Sequence, residues 1–165
     1  MPFKEDIRYV KGNFPELRFM YVSGTYSPIE ELLENKCQAG MRYSALARGH
    51  IGSKETLFIM GLGRIHLPDF LDSQELSLQR RGLIAHELSH FCFFPFDDSG
   101  SESERQVDEE AMRRGFGNEL LEAITFLENV PDLGKRYGYS SQEFRKVLKK
   151  YSGSDPERRY ALHPR

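Results

Sequence analysis

Along the chain, the spacing of apolar residues changes near Asp72 from a period of about two to one of about 3.6. Before that point, runs rich in aromatic and β-branched residues alternate with turn residues. Leu17–Val22 reads as a strand. Met41–Arg48 is a strand of weaker alternation, Gly49–Ser53 a turn, and Thr56–Met60 a strand closed by Gly61-Leu62-Gly63. Arg64–Pro68 is a shorter strand whose proline suits a sheet edge. Residues 1–16 leave room for a short helix before Gly12-Asn13. Ser27-Pro28-Ile29-Glu30 opens a helix, with Ser27 as cap, Pro28 at the first helical position and Glu30 completing a capping box. Ile29, Leu32 and Leu33 give it an apolar face that fades near Asn35-Lys36.

After Asp72 the pattern is helical. Asp72 is placed to cap, and Leu76, Leu83, Ile84, Leu88 and Phe91 recur on one side as far as Phe94, before Pro95. A polar loop, Asp97–Ser101, leads to a helix over Glu102–Arg114 that ends at Gly115 and Gly117. Asn118 caps a third helix carrying Leu120, Leu121, Ile124 and Leu127, which stops before Pro131. Ser140-Ser141-Gln142-Glu143 opens a fourth, with Phe144, Val147, Leu148 and Tyr151 apolar, stopped at Gly153; Asp155-Pro156 starts a last short turn. The expected fold is α+β. A small twisted mixed sheet packed on the helix after Asp72 lies within residues 1–95, and a helical lobe occupies 96–165 of the same domain.

Composition narrows the function classes. Of 165 residues, Lys+Arg number 23 and Asp+Glu 25, a net charge of −2, which offers no general attraction to nucleic acid or to an anionic membrane. The two cysteines, Cys37 and Cys92, form no C-x-x-C and suit a reducing compartment. The opening MPFKEDIRYVKGNFPEL lacks the apolar core of a signal peptide, and no apolar run approaches a membrane span. A cytoplasmic location is expected.

The candidate chemistry lies in LIAHELSHFCF, residues 83–93, where His86, Glu87 and His90 spell H-E-x-x-H. Residues four apart on a helix differ by about 40° in azimuth, so both histidines can turn a ring nitrogen to one metal ion. Glu87 stands beside them, able to take a proton from a water made acidic by that metal as it attacks a carbonyl, and to pass it to the leaving amine. Zinc in a catalytic site takes three protein ligands and leaves one position open. After His90 the only other histidine is His163, and the nearer donors are the carboxylates of SESERQVDEEAMRRGFG. Glu104 and Asp108 are i,i+4 and share a helix face. One can ligate the metal while the other accepts a hydrogen bond from a ligand histidine.

H-E-L-S-H followed by E-R-Q-V-D-E-E-A resembles the gluzincin metallopeptidases, whose second motif is Glu-x-x-x-Asp with Ala three residues on. It is most similar to the small soluble relatives of the CAAX-protease type, the minigluzincins, and also to the repressor-cleaving ImmA/IrrE-type peptidases. The match covers about residues 56–117, and the loop between its two helices is shorter than in the CAAX-type enzymes. The resemblance implies a zincin-like fold, one Zn²⁺ per chain and hydrolysis of a peptide or protein substrate. By it, His86, His90 and Glu104 are the zinc ligands, Glu87 is the general base and acid, and Asp108 orients a ligand histidine. It also implies that the strand before the active helix, Arg64, Ile65, His66 and Leu67, pairs with the substrate main chain. Tyr151, Arg158, Tyr160 and His163 are candidates to stabilise the oxyanion.

Three other readings compete. Peptide deformylases also carry H-E-x-x-H but take a cysteine ligand from upstream, a part Cys37 would have to play. A regulatory or interaction domain would hold the metal for structure alone, which leaves Glu87 without a task. An autoinhibited peptidase would cover its cleft with the segment from Asp155, His163 plugging the metal. His50 and His66 read as loop and strand-end residues, and Cys92 as core.

Overall fold

The computed structural model describes residues 2–33, 40–93, 104–130 and 138–152. The chain opens with α1 (Pro2–Lys11), longer than the short helix expected. Phe3, Ile7 and Val10 recur at helical spacing on its buried face. A turn of 3₁₀ helix at Pro15–Leu17 precedes β1 (Met20–Ser27), so the strand read over Leu17–Val22 lies several residues further on. Helix α2 is brief (Ile29–Leu33). Strands β2 (Gly40–Ile51) and β3 (Lys54–Pro68) form a hairpin in which Ile51 pairs with Lys54. The turn read as five residues shrinks to Gly52-Ser53, where Gly52 has φ +61°, a conformation glycine adopts without penalty.

The sheet order is β1-β3-β2, with β1 parallel and β2 antiparallel to β3. This corrects two expectations. Gly61 and Gly63 do not end a strand, because Thr56–Met60 and Arg64–Pro68 are halves of one continuous β3. Nor is Arg64–Pro68 a separate short strand, because it is the end of β3, the central strand of the sheet. Ser23 and Gly40 flank Arg64 on its two sides. Among the described residues the β2 ladder stops there, while β1 continues alongside as far as Pro68. The physical reason for Gly63 is across the interface. A Cβ on Gly63 would stand 2.7 Å from the Phe91 ring, so the bare backbone is what lets the next helix lean on the sheet.

That helix is α3 (Ser77–Phe93). It starts later than an Asp72 cap implies, after 3₁₀ turns at Asp69–Leu71 and Gln74–Leu76. Buried Arg80 accounts for the delay. Its Nη1 donates to the carbonyls of Leu71 (2.7 Å) and Ser73 (2.8 Å), and its Nε to Asp6 Oδ2 (2.6 Å), tying the lead-in chain and α1 to the helix. Helix α4 (Glu104–Ala111) leads through a wide turn, Met112–Phe116, into α5 (Gly117–Glu128). Gly115, at φ 93°, makes the bend, and Phe116 occupies the cap position expected of Asn118. Helix α5 lies so close to α3 that a Cβ on Gly82 would meet the Glu119 carbonyl oxygen at 2.3 Å. Helix α6 (Ser141–Ser152) completes the lobe, with Phe144 fully buried. The Pro95 stop, the Asp97–Ser101 loop, the helix start at Glu102 and the turn at Asp155-Pro156 lie outside the described residues. The expectation of an α+β fold therefore holds, as a small mixed sheet with helices around α3.

A second buried ion cluster joins the segment after α1 to the wide turn after α4. Arg114 Nε donates to Glu110 Oε1 (2.7 Å), and its Nη1 donates to Glu16 Oε2 (3.0 Å) and to the Asn13 carbonyl (3.2 Å). Its Nη2 also bonds Glu16 Oε1, and the guanidinium lies over the Phe14 ring. Removing one member of such a group strands the others in a region that water does not reach. Arg114→Ala is expected to lower the stability by about 3–5 kcal/mol, read from the urea midpoint at constant m-value. A loss below about 1 kcal/mol would show that the cluster is replaceable.

Candidate metal centre

Helix α3 brings His86, Glu87 and His90 to one end of the lobe, and α4 crosses it there. His86 is 7% exposed and Asp108 fully buried, whereas Glu87, His90 and Glu104 are half-buried. The histidine rings stand at 83° to each other with their Nε2 atoms 3.2 Å apart. Glu104 Oε2 lies 3.0 Å from His86 Nε2 and 3.6 Å from His90 Nε2. Three donor atoms from two helices thus face one point, and they form a group able to hold a metal ion. Their separations bracket roughly 3.3 Å, the edge of a tetrahedron whose bonds are about 2.0–2.1 Å as for zinc with nitrogen and oxygen.

Asp108 supports this arrangement. Its Oδ1 lies 2.9 Å from His86 Nδ1, and its Oδ2 accepts from the Tyr139 backbone N–H at 3.3 Å. A carboxylate accepts, so Nδ1 carries a proton; with a cation at the shared point, Nε2 would present its lone pair to it. The hydrogen bonds from His86, then from His90, hold the Glu104 carboxyl far below the usual carboxylate range, against the opposing effect of burial. This lowered pKa contributes stability above the ordinary carboxylate range, and that stability is lost only as pH falls through the depressed value.

Of the residues singled out in the sequence, His86, His90, Glu104 and Asp108 come together. Glu87 stands next to His86 on α3. Tyr151 is engaged elsewhere, its hydroxyl donating to Glu109 Oε2 at 2.9 Å. His66 projects from β3 with Nδ1 3.1 Å from the Ser27 hydroxyl. Burial lowers its pKa, the Arg64 charge adds to that, and Glu87 pulls the other way. Ser27, read as a helix cap, is the last residue of β1. Cys92 packs against the core, as expected. His50 is exposed near the end of β2. Cys37, Arg158, Tyr160 and His163 lie outside the described residues.

Sequence reasoning missed Glu109 and Tyr139. Glu109 Oε1 accepts from the Tyr139 hydroxyl at 2.5 Å, and Arg105 lies 5.0 Å from the Tyr139 ring centre. The signal available was a second i,i+4 pair, Arg105/Glu109, one position on from Glu104/Asp108.

No protein-family model, curated protein or solved structure matches this chain. Among the described residues, no helix is long and apolar enough to cross a membrane.

Proposed function

We propose that the protein is a zinc-dependent metallopeptidase of the gluzincin type, with a zincin-like fold, that acts on a peptide or protein substrate in the cytoplasm. The observation that carries this reading is the convergence of His86 Nε2, His90 Nε2 and Glu104 Oε2 from two crossing helices. These three residues would hold one Zn²⁺, and their chemistry suits it: two neutral imidazoles and one carboxylate, with a position left for solvent. Bound there, zinc would acidify a water and polarise the scissile carbonyl.

The remaining tasks fall to the chain. Glu87, adjacent to His86 and outside the converging trio, takes the proton from the attacking water and returns it to the leaving amine. Asp108 keeps the His86 ring in the tautomer that ligates. At Ile65, His66 and Leu67 strand β3 pairs with β1 on one side; on the other, an extended substrate backbone would add as a further strand.

The test is cleavage of a peptide library by the zinc-loaded full chain, read as new termini by mass spectrometry. Cleavage that a chelator abolishes and zinc restores supports the reading. Stoichiometric zinc with no cleavage would favour a metal-holding interaction domain.

A pH dependence follows from the depressed Glu104. That carboxylate stays ionised where ordinary carboxylates take up a proton, so it remains a ligand there. Zinc affinity is expected to show no separate step near about 4.3, where ordinary carboxylates titrate. Chelator competition at a series of pH values checks this, and a distinct step in the carboxylate range would contradict it.

A further inference from the structure

Helix α4 presents two i,i+4 pairs that differ by one residue, hence by about 100° of azimuth. Glu104 and Asp108 face the metal centre. Arg105 and Glu109 face the segment that leads into α6. Glu109 receives two phenol hydrogen bonds, from Tyr139 (2.5 Å) and Tyr151 (2.9 Å), on its two oxygens. Arg105 lies over the Tyr139 ring and pairs with Glu143 on α6 at 3.2 Å. The Tyr139 ring meets buried Phe144 edge-on, with centroids 6.4 Å apart. So held, residue 139 directs its backbone N–H to Asp108 Oδ2, while Oδ1 of the same carboxylate holds His86.

We propose that Tyr139 is a positioning residue of the metal centre and that Glu109, gripping Tyr139 and Tyr151, is the latch that keeps it there. The path runs from Glu109 through the Tyr139 side chain to its backbone amide, then through Asp108 to the His86 ring. The bond from His86 on Oδ1 and the bond from the Tyr139 amide on Oδ2 act together to set the plane of the Asp108 carboxylate. Donation to Glu109 pushes the Tyr139 pKa up to about 12, so the phenol keeps its proton for this bond at neutral pH. For Tyr151 burial raises the pKa first, and the bond to Glu109 adds to it. The consequence is coupling: docking of α6 on α4 sets how firmly the site holds its ion.

This rests on the metal reading above, and the experiment separates the two. Zinc affinity of the full chain is measured by chelator competition under conditions where circular dichroism shows each variant folded. Glu109→Ala is expected to weaken zinc about 10-fold, the lower end for loss of a group that orients a ligand. Tyr139→Phe, which keeps the ring on Phe144 and removes only the hydroxyl, should weaken it in the same direction. Glu109→Gln, whose side-chain oxygen still accepts from a phenol, should recover most of the loss. With Co²⁺ in place of zinc, the visible ligand-field spectrum of Glu109→Ala should broaden or shift, a change that mere loss of stability does not produce in folded protein. Unchanged zinc affinity in both Glu109→Ala and Tyr139→Phe overturns the latch. If Glu109→Ala does not fold, Tyr139→Phe decides alone. Absence of zinc binding by the unaltered chain refutes the metal reading instead.

Discussion

Replacing Glu87 with Gln is expected to lower kcat for peptide cleavage by about 10²–10⁴-fold, the usual contribution of a general base or acid, while leaving one zinc per chain. The substitution is nearly isosteric and removes only the capacity to accept and return a proton. Glu87 stands one position from His86, and the converging donors come from His86, His90 and Glu104. Ion retention and turnover therefore separate. The loss should appear in kcat and in kcat/KM together, because proton transfer is an interaction of the transition state. Zinc content by elemental analysis, beside single-turnover cleavage, checks both halves. Loss of zinc together with activity would make Glu87 a ligand, and undiminished cleavage would remove it from the chemistry.

Replacing Glu104 with Ala should abolish the site itself. Two imidazoles remain, one helical turn apart, with nothing from α4 to complete the grip. Zinc affinity is expected to fall by more than the 10–100-fold that follows loss of an outer partner, and cleavage should fall with it. The fold should persist, because Glu104 is half-exposed and the helix core rests on Val107, Ala111 and Phe144. Chelator competition and a thermal melt of the metal-free protein measure the two effects. Retention of zinc near the original affinity would assign the third ligand to another residue and remove α4 from the centre.

The parts of the site legible in the sequence are those that residue type and spacing encode. His86 and His90 announce themselves by the four-residue interval, and Glu104/Asp108 by the same interval on the next helix. The latch was not legible, for two reasons. Tyr139 reaches Asp108 through a backbone amide, which every residue except proline carries. Glu109 is hidden in an acidic run where successive 100° steps give Asp108, Glu109 and Glu110 three different partners: His86, two tyrosines, and Arg113 with Arg114.

The fold divides similarly. The helices after Asp72 follow from a 3.6-residue period whose apolar stripe faces the core. The β3 strand was read as two pieces because Gly61 and Gly63 look like punctuation, and local sequence does not reveal that Phe91 needs the space over Gly63. The start of α3 was placed too early for a comparable reason. Asp72 has the right chemistry for a cap, but Arg80 draws the Leu71 and Ser73 carbonyls into tighter turns first. In each case a specific side-chain contact outweighs the preference of the residues beside it.

The central claim is that His86, His90 and Glu104 grip a single ion. Anomalous diffraction from crystals of the zinc-loaded protein, collected on both sides of the zinc edge, tests it most directly. The account predicts one peak per chain at bonding distance from His86 Nε2, His90 Nε2 and a Glu104 carboxylate oxygen. A peak bound elsewhere, or no peak with Glu104 simply paired to the histidines, would contradict it.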